Sequence, residues 1–139
     1  MSKILVIEDN SIMQSLLCEF IEAFGYQTEC ACNGKAGLEA VRRSHPDLIL
    51  TDVNMPGMDG YALLEVLRED VNTATIPVVF LTAEPNVSLQ LKSKQLTVDD
   101  CLNKPVNSAR LIHSIQQQLA RSLNGKQPSP VINKPGMAA

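Results

Sequence analysis

Five short strand-like runs, each followed by a segment of helical length and period, leave this chain few ways to fold. The first, Lys3-Ile4-Leu5-Val6-Ile7, is continuous rather than alternating, as in a strand covered on both faces. Ser11 and Gln14 then offer a capping box for a helix with Ile12, Met13, Leu16, Leu17, Phe20, Ile21 and Phe24 at helical spacing, stopped by Gly25. Tyr26 to Ala31 reads as a weaker second strand. A helix over 35–43 lies between the Asn33-Gly34 turn and His45-Pro46. The third strand, Asp47 to Asp52, leads through Pro56-Gly57 to a helix over 60–70, N-capped by Asp59, with Leu63, Leu64 and Leu67 inward.

Ile76 to Leu81 is the fourth strand, with Pro77 at its start, where a missing N–H is tolerated. The helix expected over 86–96 is irregular, because Val87, Leu89, Leu91 and Leu96 are partly out of phase and some must face solvent or a partner. Asp100 to Asn103 is the fifth strand. The last helix begins at Asn107 or Ser108 and aligns Leu111, Ile112, Ile115 and Leu119. Right-handed crossovers close such an alternation into an α/β, doubly wound, five-stranded parallel sheet with helices on both faces.

A chain of 139 residues, 45% hydrophobic, suits one core, expected over 1–122. The remainder, 123–139, holds Pro128, Pro130 and Pro135 and reads as a linker or mobile tail. A net charge of −3 gives no support for nucleic-acid binding. No apolar run is long enough for a bilayer and no signal-peptide pattern opens the chain, so a cytoplasmic, membrane-free protein is expected. Cys18, Cys30, Cys32 and Cys101 read as buried free thiols. Without C-x-x-C spacing or a nearby histidine they argue against zinc.

Function is concentrated where the strands stop. The first ends in Glu8-Asp9, the third in Asp52, the fourth in Thr82 and the fifth in Lys104. In a doubly wound sheet these ends share one edge, outside which ligands bind. Three carboxylates there repel one another unless a cation joins them, and Mg²⁺ (or Mn²⁺ in its place) suits carboxylates, waters and phosphoryl oxygens. Lys104 adds a point charge and Thr82 a hydroxyl. Together they point to phosphoryl transfer onto a carboxylate.

The same residues resemble the receiver domain of two-component response regulators. The resemblance spans 3 to about 120 and rests on Glu8-Asp9, the run from Asp52 to Gly60, Thr82-Ala83, Asp99-Asp100 and Lys104-Pro105. It implies the flavodoxin-like strand order 2-1-3-4-5. It also implies that Asp52 accepts a phosphoryl group from a histidine kinase, a histidine phosphotransfer protein or a small donor. Asp9, Asp52 and the Asn54 carbonyl would hold Mg²⁺, with Glu8 assisting through a water. Lys104 and Thr82 would bind the phosphoryl group, Lys104–Pro105 would be cis, and Asn54 and Glu84 would flank the group and influence its hydrolysis. The switch, including Ala83, would reshape the surface of the fourth helix, fifth strand and fifth helix for a downstream protein or a C-terminal output domain. Such a chain modifies its own aspartate rather than turning over an external substrate, so it is not expected to be an enzyme in the usual sense.

Two positions depart from that family. Cys101 stands where an aromatic rotor is usual, and Thr97-Val98 replaces a common Gly-Ala, which removes the easy left-handed cap of the fourth helix. Among rivals, a haloacid-dehalogenase-like phosphotransferase needs a second aspartate where Asn54 stands, and a flavin-type phosphate loop conflicts with Glu8-Asp9. Two roles stay open: a free-standing receiver, or the receiver piece of a longer regulator or hybrid kinase.

Overall fold

A strand with no polar face needs cover on both sides, and parallel neighbours need helices for their crossovers. The computed structural model describes residues 1–123. Its strands are β1 (Lys3–Ile7), β2 (Gln27–Ala31), β3 (Leu48–Asp52), β4 (Val78–Thr82) and β5 (Asp100–Asn103). They alternate with α1 (Ser11–Ala23), α2 (Gly34–Ser44), α3 (Gly60–Glu69), α4 (Val87–Ser93) and α5 (Ser108–Leu123). All strand pairs are parallel, in the order β2-β1-β3-β4-β5. The expected tail lies outside the described residues from 124 onward.

Alternate residues of each central strand feed two cores. Leu5 and Ile7 pack with Val41, Leu63, Leu64, Leu67 and Leu91 beneath α2, α3 and α4. Ile4 and Val6 pack with Leu17, Ile21, Leu111 and Ile115 beneath α1 and α5. Element boundaries agree with the sequence reading to within a few residues, and the caps explain most of the differences. Asn10, not Ser11, caps α1 by accepting from the Met13 N–H at 2.9 Å. Gln14 is no capping-box partner: its amide donates to the carbonyls of Glu8 and Ala31, tying α1 to the ends of β1 and β2. Asn33 and Asp59 cap α2 and α3 through the N–H groups of Ala36 and Ala62. Gly25 takes φ +95° after α1, as expected of a C′ glycine.

Three further expectations need correction. The apolar set of α1 is wider than its buried stripe: Leu17, Cys18 and Ile21 face the sheet, while Ile12, Leu16 and Phe24 are 72%, 57% and 52% exposed. Helix α4 stops at Ser93 rather than reaching Leu96, and Gln95 takes the left-handed φ of +57° where glycine is absent. The Leu96 N–H then closes the end onto the Leu91 carbonyl at 2.9 Å. The cysteines are not four buried free thiols. Cys18 of α1 is paired with Cys30 of the adjoining β2, Cys32 is exposed, and Cys101 is partly buried.

Among the described residues no helix is long and apolar enough to cross a membrane. The connection from β3 to α3 brings the helix start close against the strand end. A Cβ on Gly60 would stand 2.9 Å from Val53 Cα and 3.0 Å from the Asp52 carbonyl oxygen. Gly60→Ala is therefore expected to cost about 1–3 kcal/mol in urea unfolding. An unchanged midpoint would show that α3 approaches the strand end less closely than described.

Candidate functional site

Each pocket residue is delivered by a strand end. Glu8 and Asp9 follow β1 directly, Asp52 closes β3, Thr82 closes β4, and Lys104 follows β5. Glu8 is 2% exposed and Asp52 6%, whereas Asp9 is open to solvent. One carboxylate oxygen from each of the three lies within 4.8 Å of the others. Lys104 Nζ stands 3.2 Å from Glu8 Oε1 and 3.2 Å from Asp52 Oδ2, so one ammonium bridges two acids. The second Glu8 oxygen accepts from the Asn10 N–H, and Asp52 Oδ1 accepts from the Val53 N–H at 2.8 Å.

Burial lifts the Glu8 carboxyl above its usual range. The Asn10 N–H and Lys104 oppose the shift, and the nearby Asp52 charge adds to it. For Lys104 burial acts downward, but hydrogen bonds to Glu8 and Asp52 outweigh it and the ammonium is held above its usual value. One lysine against three acids leaves an excess of negative charge in a partly buried cleft. An oxygen-lined cluster with that imbalance fits a hard divalent cation.

The remaining expected residues occupy distinct places. The Thr82 hydroxyl accepts from the Glu84 N–H at 2.9 Å, and the Lys104 N–H donates to the Thr82 carbonyl, joining the ends of β4 and β5. Asn54 and Ala83 are exposed on the loops after β3 and β4. The Lys104–Pro105 peptide is cis. The Glu84 carboxylate is engaged by Tyr61 rather than by the pocket. Cys101 packs against the core beneath α3 and α4. Burial, and next the Asp100 charge, push its thiol up to about 11, so it stays protonated at neutral pH.

Sequence reasoning missed two supporting groups. Arg68 of α3 donates to the carbonyls of Ala74 and Ile76 and pairs with Asp99 at 2.9 Å, pinning the entry to β4. Asp100 pairs with Arg110 and accepts from Ser114. The Asp99-Asp100 doublet thus fastens β5 rather than entering the pocket. Arg68 in the last turn of α3 is an ordinary helix-end cation, and nothing in its spacing announces a partner 31 residues away.

The family profile described as the response regulator receiver domain matches residues 4–116. The chain belongs to that family. It is 30% identical over 140 residues to the transcriptional regulatory protein YxdJ of Bacillus subtilis, covering 99% of this chain and 60% of that one. With protein PilH of Pseudomonas aeruginosa it shares 32% identity over 120 residues, 86% of this chain and 99% of the other. The solved signal receiver domain of a signal transduction histidine kinase from Syntrophus aciditrophicus aligns at TM-score 0.79 and 34% identity, over 86% of this receiver and 91% of that chain. The chain therefore spans less than two thirds of YxdJ and nearly all of PilH. Receivers of this family occur both in regulators and within histidine kinases.

The raised Glu8 pKa gives a signed expectation. The folded-state value lies above the unfolded one, so the Glu8 contribution is fully present below the usual 4.5 and is lost as pH rises through the folded value. In chelator, Glu8→Gln should melt higher than wild type at neutral pH, and the gain should vanish as pH falls toward 4.5. A gain that does not depend on pH would contradict the assignment.

Proposed function

We propose that Asp52 is the phosphoacceptor of this receiver. The observation that carries this is the Lys104 ammonium lying 3.2 Å from both Glu8 and Asp52, with Asp9 completing the acidic cluster. Asp52 attacks the phosphorus of a phosphohistidine on a kinase or phosphotransfer protein, or of a small acyl phosphate. An oxygen–phosphorus bond forms to Asp52, the bond to the donor breaks, and the donor leaves with its electron pair.

In this reading Asp9, Asp52 and the Asn54 carbonyl would hold Mg²⁺ (or Mn²⁺), and Glu8 would assist through a water. When bound, the cation neutralises the acids and the charge on the transferring group. Lys104 exchanges its contact with the Asp52 carboxylate for a phosphoryl oxygen. Thr82 gives up the Glu84 N–H and donates its hydroxyl to another. A phosphoryl group brings roughly −1.5 to −2 charge, enough to bias the loops after β3 and β4 toward a second packing. The output is then a changed surface of α4, β5 and α5. Chemistry on the chain's own aspartate makes this a switch rather than a turnover enzyme.

The exposed Ile12 and Leu16 of α1 start two residues after Asn10, with Phe24 at the C-cap of the same helix, and this is the surface proposed for the donor protein. Coverage of 60% of YxdJ supports a second arrangement, in which this receiver drives an output module in a longer chain.

Acetyl phosphate with Mg²⁺ is expected to add one base-labile phosphoryl mass to wild type and none to Asp52→Ala. Lys104→Ala should label at least about tenfold more slowly. Equal labelling of wild type and Asp52→Ala would remove the assignment.

A further inference from the structure

The turn after β4 is anchored at two points, and only one of them lies in the pocket. Its backbone anchor is the Glu84 N–H, donated to the Thr82 hydroxyl at 2.9 Å. Its side-chain anchor is the Glu84 carboxylate, which accepts from Tyr61 Oη at 3.3 Å across 23 residues of sequence. Tyr61 is well placed to hold it. The residue sits in the first turn of α3 and is 7% exposed, with its ring edge-on to Phe80 at 5.7 Å between centroids. Lys94 Nζ lies 5.7 Å from the ring centroid. The neighbouring Gly60 N–H donates to the Val53 carbonyl at 2.8 Å, which fixes this end of α3 against the strand end that carries Asp52. Burial, and then the Glu84 charge, raise the phenol pKa, so the group is a donor at every working pH.

We infer that Tyr61 is a positioning residue for Thr82: through Glu84, its hydroxyl latches the 82–84 turn and so holds the Thr82 side chain in the rotamer that accepts from the Glu84 N–H. The inference rests on the phosphoacceptor reading of Asp52. Under that reading the Thr82 side chain must swing to aim its O–H at a phosphoryl oxygen, and the swing parts it from the Glu84 N–H. While Tyr61 holds the carboxylate, the turn cannot follow without breaking a second hydrogen bond. Removing the phenolic hydroxyl leaves the ring packing in place and frees the turn. One hydrogen bond to a charged acceptor is enough to shift such a two-state turn by roughly threefold to tenfold.

The test compares the rate of Asp52 labelling by acetyl phosphate and Mg²⁺ in wild type, Tyr61→Phe, Thr82→Ala and the double variant. Tyr61→Phe is expected to label roughly threefold to tenfold faster than wild type. In the Thr82→Ala background the same change should have no further effect, because the group it restrains is gone. A Tyr61→Phe rate equal to or below wild type overturns the latch, and so does an equal acceleration in both backgrounds. The Thr82 methyl resonance of the unphosphorylated protein gives a second readout. It should move in Tyr61→Phe, and an unmoved signal counts against the latch. Wild type that takes no label defeats the phosphoacceptor reading itself, whereas labelled wild type with an indifferent Tyr61→Phe defeats only the latch.

Discussion

The Lys104 ammonium, shared between Glu8 and Asp52, is the contact on which the organisation of this molecule turns. Glu8 and Lys104 are 96 residues apart in sequence, and the strand order β2-β1-β3-β4-β5 brings them together. Neither acid is stable in a buried position without compensation, and a single lysine cannot balance three carboxylates. The pocket is therefore electrostatically incomplete by construction. That incompleteness suits it to a cation and, in the function proposed above, to a phosphoryl group.

The surrounding structure holds this tension in place. Gly60 lets α3 start within contact of the Asp52 backbone, and the Gln14 amide binds the ends of β1 and β2 beneath Glu8. On the far side, Arg68 and Asp99 set the entry to β4, so the positions of Thr82 and Lys104 depend on an ion pair at the opposite end of the strand. The loops after β3 and β4 carry the exposed Asn54 and Ala83. Rigid strands with exposed loops at one edge suit a site that must bind accurately and then transmit a small displacement.

The alternation of apolar runs and helical segments made the fold readable, because continuous runs such as Ile4 to Ile7 and Leu48 to Leu50 admit little but buried parallel strands. The strand-end acids and Lys104 were readable for the same reason: topology alone carries them to one edge. What stayed hidden depends on angle rather than pattern. Ile12, Leu16 and Phe24 share the apolar character of Leu17 and Ile21, and only the tilt of α1 against β1 and β2 decides which of them meet the core. Likewise Asn10 and Ser11 are both competent caps, and the exit of β1 selects Asn10. The Tyr61–Glu84 and Arg68–Asp99 pairs join elements that are distant in sequence and carry no spacing signature. Cys101 was marked as unusual by comparison with the family and read as a buried thiol, but the Asp100 charge that helps keep it protonated required coordinates.

If residues from three strand ends form one cation pocket, a backbone amide NMR titration with Mg²⁺ will show it. Resonances of Glu8 to Asn10, Asp52 to Asn54 and Lys104 should shift together along a single saturation curve. Shifts confined to one of these segments, or separate curves with unrelated midpoints, would contradict a shared pocket.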